Sequence, residues 1–143
     1  MNIKEWNSLS KKQRDWYCMC FKKLNIKFIK QYWNELNKKQ RNLICIHQKL
    51  NIKFIKQYWN ELDEDQRKYI CINQTLSITF IKQLWNKLDK EQKNYICLYQ
   101  KLDTEFIKQI WNELDEGQKI TIKNKLDTLT KFVLLGLEKG KEK

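Results

Sequence analysis

The apolar positions of the chain fall into short stripes of two kinds that alternate along its length. In the first kind, Phe28, Ile29, Tyr32, Trp33 and Leu36 recur at helical spacing, with Lys27, Lys30, Gln31 and Asn34 on the other side. The second kind is built on the triplets Leu43/Ile44/Ile46, Tyr69/Ile70/Ile72 and Tyr95/Ile96/Leu98. Each stripe is preceded by a helix-start signal. Asn25, Asn51, Ser77 and Asp103 stand where an N-cap belongs before the first kind. The flanking pairs Leu24/Ile29, Leu50/Ile55, Leu76/Ile81 and Leu102/Ile107 have the spacing of a hydrophobic staple. The second kind opens on a capping box: Ser10-x-x-Gln13, Asn37-x-x-Gln40, Asp63-x-x-Gln66, Asp89-x-x-Gln92 and Asp115-x-x-Gln118. This predicts pairs of helices, each of about 11 residues and about 16 Å, joined by tight turns.

The pairs repeat. Trp33, Trp59, Trp85 and Trp111 are 26 residues apart, as are Leu24, Leu50, Leu76 and Leu102. The stretch KLNIKFIKQYWNEL occurs unchanged at 23–36 and 49–62, a duplication inside the array. The chain divides into a truncated first unit (1–23), full units at 24–49, 50–75, 76–101 and 102–125, and an atypical stretch 126–143. In that stretch Leu126, Leu129, Phe132, Val133 and Leu137 predict a C-terminal capping helix, followed by a charged tail. A fixed step in this range marks a solenoid, because a pair of short helices cannot bury its apolar face alone but can stack on its neighbours. The expectation is a single all-α domain, an α-solenoid of tandem helix-turn-helix repeats. Five stacked pairs at about 8–10 Å spacing would reach roughly 50 Å.

The wording of the unit, L-x-x-x-F-I-x-x-x-W-x-x-L, then Q-x-x-x-I and a Q-[KT]-L junction, resembles the short tandem helix-pair repeats of proteins from giant DNA viruses of amoebae and related viral or phage proteins. The resemblance spans nearly the whole chain. It implies an all-helical solenoid with binding roles and no established chemistry. In a virus or phage, such a module would bind and inhibit or redirect a host protein, a defence protein included. Those repeats often carry acidic or His residues where this chain has Lys30, Gln31 and their counterparts.

Composition agrees with helix throughout: there is no proline, and the three glycines are Gly117, Gly136 and Gly140. The opening MNIKEWNSLSKKQ lacks an apolar h-region, so no secretory signal is expected. The longest apolar run, Phe132–Leu135, is too short to span a bilayer. Cys18, Cys45, Cys71 and Cys97 occupy one column and Cys20 is the odd fifth, which fits packed, reduced thiols better than a disulfide framework. These features predict a soluble, cytoplasmic protein in a reducing compartment.

Little in the chain suggests catalysis. His47 is the one histidine, and there is no Gly-rich phosphate loop, G-x-S-x-G or H-E-x-x-H. No cofactor is implied. Cys18-x-Cys20 aligns with Cys45-x-His47, but residues two apart on a helix point about 200° apart, which disfavours a shared zinc ion. The tryptophan column could stack nucleic-acid bases, yet it shares a stripe with Phe28, Ile29 and Leu36, which favours core.

Two cationic columns are better candidates. Lys30, Lys56, Lys82 and Lys108 recur on the first helices; Arg14, Arg41, Arg67, Lys93 and Lys119 each follow the capping glutamine. A cation in the first turn of a helix opposes the macrodipole, so its recurrence implies a partner. That partner is either internal, through Glu35, Glu61 and Glu113, or external. The net charge is +12, and residues 1–49, with twelve Lys/Arg against three Asp/Glu, hold +9 of it. The candidate surface is Lys11, Lys12, Arg14, Lys30, Lys38, Lys39, Arg41, Lys56, Arg67 and Lys82. It suits a protein partner, with variable positions at 27/53/79/105, 38/64/90/116 and 39/65/91/117, or alternatively nucleic acid. Association with a membrane is not expected, and end-to-end self-stacking is a third possibility.

Overall fold

A computed structural model describes residues 1–20, 24–126, 131 and 136. Among these residues the chain forms ten α-helices, two per unit, and no strand. They are α1 (Ile3–Ser8) and α2 (Lys11–Met19), α3 (Ile26–Tyr32) and α4 (Lys38–His47), α5 (Ile52–Tyr58) and α6 (Glu64–Asn73), α7 (Ile78–Leu84) and α8 (Lys90–Tyr99), and α9 (Thr104–Ile110) and α10 (Glu116–Lys125). The architecture is the all-α solenoid that the repeat predicts. The capping helix expected over 126–143 lies outside the described residues, Leu126, Lys131 and Gly136 apart.

The caps form as written. Asn25, Asn51, Ser77 and Asp103 accept from the backbone N–H of Phe28, Phe54, Phe80 and Phe106. All five capping boxes close reciprocally, and a sixth, Asn2-x-x-Glu5, starts α1. The staple leucines Leu24, Leu50 and Leu76 are buried, as are Ile29, Ile55, Ile81 and Ile107.

One element differs from the expectation of two plain helices. Each first helix of units 2 to 5 tightens into a 3-10 turn at its tryptophan: Trp33–Glu35, Trp59–Glu61, Trp85–Lys87 and Trp111–Glu113. A 3-10 turn lets the last carbonyls find partners within a short segment. It also brings Leu36, Leu62, Leu88 and Leu114 into the core directly before the next cap.

The helices stack in two layers. Each second helix packs on the second helix of the next unit, α2 on α4, α4 on α6, α6 on α8 and α8 on α10. The small side chains of Cys45, Cys71 and Cys97 lie in this layer, fully buried. In the first-helix layer, tryptophan bridges to the phenylalanine one unit on. Trp33–Phe54, Trp59–Phe80 and Trp85–Phe106 are edge-on at 5.1, 5.8 and 5.5 Å, and Trp6–Phe28 are tilted at 5.2 Å. Such pairs stabilise beyond their buried area by about 0.5–1.5 kcal/mol each.

Buried glutamines lock neighbouring units. Gln74 donates through Nε2 to the carbonyls of Cys45 and Gln48 at 2.9 and 2.7 Å, and its Oε1 accepts from Leu50 N–H at 3.0 Å. Gln100 repeats this one unit on, with Cys71, Gln74 and Leu76. Gln48 does the same against unit 1, reaching the carbonyls of Tyr17, Cys18 and Cys20 and accepting from Leu24. Each side chain thereby satisfies the loose carbonyls at the end of one second helix and an N–H of the following junction. In the last unit the Nζ of Lys125 takes the place of the amide, donating to Cys97 and Gln100 carbonyls at 2.7 and 2.6 Å. Burial holds this ammonium below the usual lysine range.

Candidate functional site

The structure separates the ten candidate cations into groups with different environments. Arg14, Arg41 and Arg67 are half-buried and turned onto their own units. Each donates through Nε to a tryptophan carbonyl, Trp6, Trp33 and Trp59 respectively, at 3.0 Å. Arg14 and Arg67 add a second bond through Nη2, to Asn7 and Asn60 carbonyls. Each guanidinium also lies over the same tryptophan ring, at 5.8, 5.3 and 5.7 Å. Lys93 and Lys119 continue the column over Trp85 and Trp111 at 5.1 and 5.5 Å.

Neither a ligand nor a glutamate is needed to give that column a partner within the chain. Its contacts are to the end of the preceding helix: each arginine adds a second donor to a tryptophan carbonyl that already accepts a backbone N–H, and every cation of the column packs on the tryptophan ring. Among the described residues, Glu35, Glu61 and Glu113 form no ion pair with an arginine. Glu113 instead accepts from Trp85 Nε1 at 3.2 Å.

The lysines divide by layer. Lys30, Lys56 and Lys82 are exposed on the first helices. Lys56 and Lys82 reach forward over Phe80 and Phe106, at 5.7 and 5.9 Å, and Lys82 meets Asp103 at 3.5 Å. Lys11, Lys12, Lys38 and Lys39 are exposed at the starts of α2 and α4. Lys38 lies 3.6 and 3.7 Å from Asp63 and Asp65, and Lys39 lies 2.8 Å from the buried Asp15. The Lys39 hydrogen bond holds the Asp15 carboxyl below its ordinary range. No single helix face carries all ten residues.

The tryptophan column is core. Trp33, Trp59, Trp85 and Trp111 are between 1% and 5% exposed, leaving no ring face for a base. The cysteine column is core as well. Burial pushes the thiols of Cys18, Cys45 and Cys71 up to about 12 and that of Cys97 to about 11, far from the thiolate that reactivity requires. Cys18 is fully buried whereas Cys20 is half-buried. Among the described residues no three His, Cys, Asp or Glu side chains converge to hold a metal ion. None of the helices described is long and apolar enough to cross a membrane.

Three of the columns that vary between units face water. Positions 27/53/79/105 read Lys, Lys, Thr, Glu; 38/64/90/116 read Lys, Glu, Lys, Glu; 39/65/91/117 read Lys, Asp, Glu, Gly. All twelve are exposed. Three constant columns, Phe28/54/80/106, Ile29/55/81/107 and Gln40/66/92/118, are buried, whereas Lys30/56/82/108, Gln31/57/83/109 and Asn34/60/86/112 are constant and exposed. No family model, no curated protein and no solved structure matches the chain.

Proposed function

We propose that the chain is a non-catalytic protein-interaction module. The observation that supports this is the division just described, with constant buried columns holding a rigid stack and exposed columns changing in charge from unit to unit. Stacked repeats of this kind present an extended surface whose specificity resides in the variable positions. The viral resemblance extends the proposal to a host protein, a defence protein included, that the module binds and inhibits or redirects.

The nucleic-acid reading loses ground because its arginines are engaged with tryptophan carbonyls and rings. Lys38 and Lys39, too, have carboxylate neighbours. The test is affinity capture with the chain and with a variant carrying K27E, K53E and E105K. The expected result is a stoichiometric protein complex, weakly dependent on salt and lost in the variant, with both chains equally helical. Capture that the triple substitution leaves unchanged would remove position 27/53/79/105 from the site. Recovery of nucleic acid alone would overturn the proposal.

A further inference from the structure

The second helices are not apolar on their inner side only. Of each apolar triplet the middle isoleucine, Ile44, Ile70 or Ile96, is fully buried, while its neighbours reach the surface. Positions 43 and 46, with 39 one and two turns before them, share the helix side that faces away from the first-helix layer. Across units 1 to 4 they form two adjacent apolar columns, Trp16–Leu43–Tyr69–Tyr95 and Met19–Ile46–Ile72–Leu98. Trp16, Met19 and Leu98 are 49%, 48% and 48% exposed. The other five, Leu43, Ile46, Tyr69, Ile72 and Tyr95, are half-buried, so the strip is apolar along its length and meets solvent most at its two ends.

The charged column beside the strip indicates what covers it. Lys12, Lys39, Asp65 and Glu91 read plus, plus, minus, minus along units 1 to 4, and all are exposed. Lys39 also meets Asp15, Asp65 meets Lys38, and Glu91 lies 2.9 Å from Lys68 and accepts from the Tyr95 hydroxyl at 3.0 Å, each keeping an outward face. The order is antisymmetric about the midpoint between α4 and α6. A two-fold axis there, parallel to the second helices, would set Lys12 against Glu91 and Lys39 against Asp65. It would also set Met19 against Leu98, Ile46 against Ile72, Trp16 against Tyr95 and Leu43 against Tyr69.

We infer that this strip is the contact face of a two-fold homodimer. A two-fold interface must be complementary to itself, and the charge column meets that requirement in this register. Sliding by half a step to centre the axis on α4 opposes Lys39 to its own copy, and centring it on α6 opposes Asp65 to its own copy. The next column inward, Asp15, Asn42, Lys68 and Asn94, introduces no like-charge pair in the chosen register. At the rim Lys11 approaches Lys90, whose ammonium is 3.7 Å from Asp115. A strip four helices wide and one helix long covers roughly 35 by 15 Å. With its side-chain relief it approaches the order of 800 Å² per partner that a specific dimer buries. The dimer covers positions 39, 65 and 91 and brings 90 to its rim, so recognition of another partner falls to position 27 and its counterparts on the first-helix surface, which stays open.

Sedimentation velocity over a micromolar concentration series tests this on the wild type, on K12E, on E91K and on an equimolar mixture of the two variants. The wild type should form a closed dimer. Each variant alone should self-associate about tenfold more weakly, because two symmetry-related contacts turn from attraction to repulsion. The mixture should recover the wild-type affinity, since in the mixed dimer both contacts between positions 12 and 91 again oppose a carboxylate to an ammonium. Circular dichroism of each variant checks that the helices persist. A monomeric wild type, an open-ended series of oligomers, or a dimer indifferent to both substitutions would overturn the inference. So would failure of the mixture to recover.

Discussion

At the scale of single residues, the side chains that join the units are polar. Gln74 makes three hydrogen bonds to the neighbouring unit and its junction, at 2.7 to 3.0 Å. In Gln74→Ala two carbonyls and an N–H lose their partners in a buried setting, at about 1–3 kcal/mol for each group left unsatisfied. A net destabilisation of about 3 kcal/mol is therefore expected, read as a lower urea midpoint; a midpoint within error of the wild type would show the bonds to be dispensable. Arg67 separates its two roles by substitution. Arg67→Ala removes two hydrogen bonds and the stacking on Trp59, and should cost about 2 kcal/mol. Arg67→Lys should cost less than half of that, since Lys93 and Lys119 already occupy the equivalent place over Trp85 and Trp111. Equal losses in the two variants would contradict that account of the column.

Both residue types also mark where reading the letters falls short. The junction glutamine is visible as a recurring letter, but its meaning lies in carbonyls one unit away. No spacing along the chain shows those carbonyls. The arginine column looks uncompensated for the same reason: its partner is a backbone oxygen eight residues back, whereas a search among side chains finds only the glutamates.

At the scale of elements, the caps and staples of the repeated columns were legible, because they depend on residues three to five apart on one segment; the Asn2-x-x-Glu5 box, outside those columns, was not read. The 3-10 ending was not, since Trp-Asn-Glu-Leu suits either an α or a 3-10 turn and the choice follows from packing. The apolar triplets misled in part. Periodicity identifies the helix but cannot tell a side chain facing the core from one facing a solvent strip, so Leu98 and Ile96 look alike until their exposures, 48% and 0%, are known. First helices of seven α-helical residues and second helices of ten are below the length at which isolated helices hold. A peptide of residues 50–75 should therefore lack helix by far-ultraviolet circular dichroism. Native-like helicity in that single unit would show that stacking is not what stabilises it.

At the scale of the whole molecule, the order of units was readable from a constant step, and with it the solenoid. The distribution of charge was readable too, but its use was not. A basic stretch, residues 1–49, with +9 of the +12 charges invites an electrostatic ligand, yet two of its cations fold back onto tryptophans and two sit beside carboxylates. The account therefore makes the arginine column part of the stack and proposes recognition at positions that differ between units. Fluorescence anisotropy with random-sequence DNA and RNA, at about 50 and 200 mM salt, tests this most directly. The account predicts weak binding at the lower salt that changes little at the higher. A loss of about 10³-fold or more between the two would reveal several phosphate contacts, and would contradict it.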